Sequence, residues 1–236
     1  MSPPRLLSRK ATCASHVPGT SSSEARSPRA HGMRGAYCSG VAELPSLVLL
    51  VRHGATEWSV TGQHTGRTDL PLTELGVSQA QAVRPVIHRL IDGVTPVVFS
   101  SPLLRAKKTA ELALPGVDAT LTDALLEVDY GEYEGLRPEE IAARNPNWNL
   151  FVDGCPGGET AAQFAARCDA FRDLVHERAP GRPVVAFTHG HLSRVLTVRL
   201  LGFPATAAAA LYNDTATVGV ISEHRGRWVL DGWNMR

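Results

Sequence analysis

Short, uninterrupted apolar runs recur along this chain, and between them apolar residues return every three or four positions. "LVLLV" (47–51), "PVVF" (96–99) and "PVVAF" (183–187) are the runs. Each is about a strand in length and rich in Val, as expected of strands buried on both faces. The intervening segments have helical spacing. "LTELGVSQAQAVRPVIHRL" (72–90) starts behind Thr73, a natural N-cap, and carries Pro85, which should kink it. "PLLRAKKTAELAL" (102–114) reads as a helix with Pro102 in its first turn. "GGETAAQFAARCDAFRDLVHERA" (157–179) has the clearest 3.6-residue period, and "LSRVLTVRLLG" (192–202) should stop near Gly202. A weaker apolar stretch, "ATLTDALLEV" (119–128), leads into the glycine-rich "DYGEYEG". "TATVGVISE" and "RWVLDGWN" read as two closing strands, joined by a hairpin at Arg225-Gly226. Strands alternating with helices predict an α/β protein, a three-layer α/β/α sandwich around a mainly parallel sheet.

Residues 1–44 break this pattern. They are Ser-, Arg- and Pro-rich with no periodic apolar face, and read as a disordered tail or an over-extended start. The domain is therefore expected to span 45–236. The first segment lacks the apolar core of a secretory signal, although its Arg- and Ser-rich, acid-poor make-up has the character of a transit peptide. The chain is nearly neutral, with 24 Lys and Arg against 23 Asp and Glu, so no bulk charge draws it to nucleic acid or a membrane surface. No apolar run approaches bilayer thickness. Cys13, Cys38, Cys155 and Cys168 form no CxxC pair, which fits free thiols in a reducing cytoplasm. The Ala-rich "ATAAAALY" (205–212) could pack inside the domain or against a second copy in a homo-oligomer.

The chemistry sits where the runs stop. The first ends in Arg52-His53-Gly54. The second ends in Ser100-Ser101-Pro102, with Arg105 a turn into the next segment. The third strand of this set ends in Thr188-His189-Gly190-His191. In parallel α/β sheets the site lies at the carboxyl ends of the strands, so two imidazoles and two guanidiniums should meet there. Glu127 follows the weaker apolar stretch. Guanidinium forks and helix N-termini suit phosphoryl oxygens, and a neutral imidazole among them is a nucleophile. A protonated carboxyl could serve the leaving oxygen. Taken singly, His53 reads as a buried structural histidine, and His189-Gly190-His191 could ligate metal. No HExxH pattern or adjoining acidic run supports a metal, and the cationic groups require no cofactor.

"LVRHGATEW", "SSPLLRAKKTAE", "LLEVDYGEYEG" and "THGH" together resemble the histidine phosphatase superfamily, also called phosphoglycerate-mutase-like, over residues 47 to about 202. The resemblance implies that His53 becomes phosphohistidine. Arg52, Arg105 and His189 would hold phosphoryl oxygens, and Glu127 would protonate the leaving group. Thr65, Gly66 and Gly190 would lie near the substrate, as would Ser59, which stands where many members carry Asn. "TEWS", "TGRTDLPLT", "YGEYEG" and "WNLFVDGCPGGET" look closest to the sedoheptulose-1,7-bisphosphatase and actinobacterial acid phosphatase type branch. The expected partner is a small phosphorylated substrate, a sugar bisphosphate included, whose second phosphate could meet Arg67, Arg137 or Arg144; the alternative is that these are solvated surface charges, the reading favoured for Arg144. About sixty residues separate Glu127 from His189, leaving little room for the lid of a mutase, which must exclude water. The alternatives are a mutase-type phosphoryl transferase and a non-catalytic phospho-ligand binder that has kept the pocket.

Overall fold

The computed structural model describes residues 44–236. Expectations for residues 1–43, including Cys13 and Cys38, lie outside the described residues. Strands β1 (Leu47–Arg52), β2 (Val97–Ser100), β3 (Thr120–Leu121), β4 (Pro183–Thr188), β5 (Val218–His224) and β6 (Arg227–Met235) form one sheet in the order β3-β2-β4-β1-β5-β6. β1 to β4 are mutually parallel; β5 pairs antiparallel with both β1 and β6.

Side-chain alternation builds the layers. Val48, Leu50, Phe99, Val184 and Ala186 point to one face, where they meet Phe171 and Val175 of α7 (Ala161–Arg178) and Leu192, Val195 and Leu196 of α8 (Gly190–Leu200). Leu49, Val51, Val98, Val185 and Phe187 point to the other. There they meet Val86, Ile87 and Ile91 of α3 (Arg84–Ile91) and Ala110 and Ala113 of α4 (Leu104–Ala113). The central strands are covered on both sides, which is why their sequence runs are unbroken.

Local signals set most boundaries. Thr73 caps α2 (Glu74–Ala82) by accepting from the Gly76 N–H at 3.1 Å. Pro85 divides the long helical pattern into α2 and α3 rather than merely bending it, because it occupies the first turn of the second helix. Pro102 lies ahead of α4, not in it. The helix is entered at Leu103, and the Leu104 N–H is capped from a distance by Asp69 Oδ1 at 2.7 Å. Thr160 and Gln163 form a capping box at the start of α7, worth about 1 kcal/mol. The "ATLTDALLEV" stretch yields only the two-residue β3 and a short 3₁₀ turn; its apolar Leu125 and Val128 enter the core from a segment held by Thr188 Oγ1 donating to Leu125 O. Arg225 and Gly226, both at positive φ, turn the β5–β6 hairpin. Residues 205–210 form a 3₁₀ segment whose Ala208 is buried within this chain.

Register places the chemistry. Arg52 pairs with Thr188 and Ser100 with Phe187, so the three adjacent strands stop together. The next backbone N–H groups extend the ladder: His53 donates to Thr188 O and Ser101 to Phe187 O, both at 2.9 Å. Gly54 then lets the chain touch α2, since a Cβ there would fall 2.2 Å from Gly76 O.

Candidate active site

Past the ends of β1 and β4 lies a cavity of about 270 Å³. Arg52, His53, Ser59, Thr65 and Gly190 line it, as the sequence led one to expect. Gly190 opens the first turn of α8, and a Cβ on it would sit 3.3 Å from the Arg52 guanidinium carbon. The missing side chain lets Arg52 lie against the helix N-terminus. Arg52 Nη1 donates to Asn213 O at 2.6 Å, while its buried Nε has no partner among the described residues.

His53 is 4% exposed. Its Nδ1 lies 2.7 Å from Gly54 O, and a carbonyl can only accept, so Nδ1 carries the proton. Nε2 keeps its lone pair. Burial, then the charges of Arg105 and Arg52, hold the imidazole well below its usual pKa, against the weaker opposing effect of the Gly54 bond. The ring is neutral in ordinary buffer. His189 stands edge-on to it, 5.2 Å between ring centres.

Arg105 and His189 are both fully buried and do not line the cavity. Arg105 Nε donates to His189 Nδ1 at 3.2 Å, Nη1 to Thr68 O, and Nη2 to Thr65 O and Gly66 O. His189 must therefore carry its proton on Nε2, which donates to Ser101 Oγ at 2.8 Å. Arg105 thus folds the 65–68 loop around itself. Gly66 is part of that wrapping, its N–H bound to the Glu134 carboxylate.

Glu127 is buried behind the wall, at the start of α8. Oε1 accepts from the Val128 and Leu192 N–H groups and Oε2 from His191 N–H, all between 2.9 and 3.0 Å. It is the main influence opposing the burial-driven lowering of the Arg52 and Arg105 pKa values. Ser59 forms a capping box with Thr56 at α1 (Glu57–Thr61), its hydroxyl donating to Thr56 O at 2.9 Å.

The family model for the histidine phosphatase superfamily (branch 1) matches residues 48–236. The chain belongs to this superfamily. An acid phosphatase of Mycobacterium tuberculosis is 37% identical over 180 residues, 76% of this chain and 87% of that protein. A sedoheptulose 1,7-bisphosphatase of Saccharomyces cerevisiae is 35% identical over 181 residues, 64% and 67% of the two chains. The solved structure of an open reading frame from M. tuberculosis superposes with a TM-score of 0.76 at 35% identity, covering 80% of this chain and 97% of that one.

Within this histidine phosphatase the rest of the cavity lining went largely unread in the sequence. Gln63, His64, Tyr130, His191, Arg194, Tyr212 and Asn213 also line the cavity. Arg67, Arg137 and Arg144, the expected contacts for a second phosphate, do not line it. Arg67 faces Asp129 at 3.8 Å, and the backbone N–H of Arg137 is tied to Glu140. The cation in this part of the lining is Arg194, one turn beyond the His-Gly-His motif. Its Nε donates to Ala208 O and its guanidinium lies over the Phe151 ring. That i+3 spacing from His191 on a helix was the available signal. Glu159 and Thr160 act structurally: Glu159 pairs with Arg167 at 2.7 Å, and Thr160 caps α7. Among the described residues no group of three or more His, Cys, Asp or Glu could hold a metal ion, and no helix is long and apolar enough to cross a membrane.

Proposed function

We propose that this chain hydrolyses phosphomonoesters of small metabolites through a phosphohistidine on His53. The observation carrying this is the locked tautomer: Nδ1 tied to Gly54 O, with the Nε2 lone pair unpartnered beside Arg52 in a cavity the ring lines. Attack of Nε2 on phosphorus expels the alkoxide, and water then returns the phosphoryl group to solution. Arg52, which lines the cavity beside His53, meets the phosphoryl oxygens. Arg105 and His189 hold the nucleophile and the 65–68 loop in place, and His189 reaches an oxygen only by releasing Ser101. Glu127 is the acid for the leaving oxygen once one of its oxygens is freed from the His191 N–H. Arg194 meets the far end of a substrate with a second anionic group, a sugar bisphosphate for example. A reducing cytoplasm suits the two free thiols among the described residues; burial pushes Cys155 up to about 12 and Cys168 up as well, keeping both protonated.

Rapid quench with ³²P-labelled substrate tests the reading. The wild type should yield an acid-labile, base-stable phospho-adduct. His53→Ala should form none and lose about 10⁴-fold or more in turnover, the scale seen when a covalent nucleophile is removed. A fully active His53→Ala would end it.

A further inference from the structure

The cavity that His53 lines also holds a pair the phosphoryl chemistry does not use. Tyr130 OH lies 2.5 Å from His191 Nδ1. Tyr130 is almost fully buried and its hydroxyl has no other partner, so it donates to Nδ1 and forces the imidazole proton onto Nε2. Nε2 itself has no hydrogen bond among the described residues. Yet it is not sealed: among the described residues the sealed, unpartnered side-chain nitrogens are Arg52 Nε, His176 Nε2 and Trp228 Nε1. His191 lines the same cavity as His53, so its Nε2–H opens onto bound substrate. The ring is held from several sides, with Phe151 at 5.8 Å and His64 at 5.7 Å between centres.

We propose that His191 is a specificity-determining residue whose Nε2–H binds an oxygen on the leaving group, with Tyr130 as the positioning residue that fixes its tautomer. The inference rests on the phosphatase reading above. Burial, followed by the charges of Arg194, His64 and Arg52, keeps the ring neutral. A neutral, desolvated imidazole of this kind is an effective hydrogen-bond donor and a poor acid. It favours leaving groups bearing hydroxyl or carboxylate oxygens over plain alkyl groups, because a buried donor left unpaired is costly.

Glycerol 1-phosphate and propyl phosphate share a chain length and differ in those oxygens. The wild type should prefer the former by about tenfold in kcat/KM, the scale of one buried hydrogen bond. His191→Phe should abolish most of that preference, slowing glycerol 1-phosphate far more than propyl phosphate. Tyr130→Phe, which keeps the ring stacked on His64 and removes only the hydroxyl, should lower the preference by about threefold, the share of a looser tautomer lock. If His191→Phe does not fold, Tyr130→Phe alone decides. An unchanged preference, or both substrates slowed in parallel, overturns the role given to His191. A wild type that hydrolyses neither these esters nor p-nitrophenyl phosphate overturns the phosphatase reading beneath it.

Discussion

The two walls of the cavity are made in different ways. On the His53 side, donors and acceptors close on one another. Arg105 makes four contacts, to His189 and three loop carbonyls, His189 donates to Ser101, and His53 is pinned to Gly54 O. On the far side, Arg194 commits only Nε and His191 only Nδ1, leaving polar hydrogens facing the cavity. The first wall spends most of its donors and acceptors internally, which fixes geometry, and keeps back His53 Nε2; the second leaves more donors for a ligand, as the selecting role proposed for His191 requires. A protein that must place one nucleophile but choose among substrates has reason to divide the work in this way.

Truncation should separate the walls most sharply. Arg105→Ala leaves the carbonyls of Thr65 and Gly66 and the Nδ1 of His189 without donors, although Thr68 O keeps the Leu70 N–H. The cost should be on the order of 4 kcal/mol, from several unmet buried groups and a cavity. Arg194→Ala loses one hydrogen bond and packing over Phe151, and should cost about 1 kcal/mol. Urea denaturation of both variants measures the gap. Similar losses would mean that the two walls are not energetically distinct.

Glu127→Gln comes next, because Glu127 supports both walls from behind. An amide nitrogen in place of Oε2 confronts the His191 N–H with another donor, for a loss of about 1–3 kcal/mol. The kinetic consequence identifies its role. A proton donor matters for sugar phosphates, whose alkoxides leave poorly, and little for p-nitrophenyl phosphate. Equal slowing of both in the phosphoryl-transfer step would make Glu127 a support for the α8 N-terminus, and the acid would have to be sought elsewhere.

The same division explains what could be read from the sequence. The first wall is carried by strand ends, and strands announce themselves: "LVLLV" stops at Arg52-His53 and "PVVAF" at Thr188-His189, and register brings them together. Arg105 follows from the helix after β2. The second wall is gathered from segments far apart in the chain, at 63–64, 130, 191–194 and 212–213. No periodicity links Tyr130 to His191, and only packing places His64 4.6 Å above the Tyr130 ring. Pro102 misled in a similar way. Its position suggested a first helical turn, but the α4 N-terminus is capped by Asp69, thirty-five positions earlier. Long-range caps leave no local trace. Gly66 resembled a substrate contact, yet both its backbone groups are spent on Glu134 and Arg105.

The smallest expected effect is a test of how dry the second wall is. Burial lowers the His64 pKa to about 4, outweighing the nearby Glu134 carboxylate, which acts in the opposite direction. In the unfolded chain the same ring titrates near 6.5. Between those values the unfolded state binds the extra proton, so stability rises with pH across the window. The contribution is fully present above about pH 6.5 and is lost as pH falls toward 4. One such group supplies a slope of up to about 1.4 kcal/mol per pH unit. His53, His189 and His191 shift in the same direction and steepen the whole curve. His64→Phe keeps a ring stacked on Tyr130 and removes one titrating group from the second wall alone. Its unfolding free energy, measured in urea at pH 5, 6 and 7, should fall less steeply with acid than that of the wild type by about that amount per unit. Parallel curves would mean that water reaches His64 in the folded protein, and that this wall is wetter than its stacked rings imply.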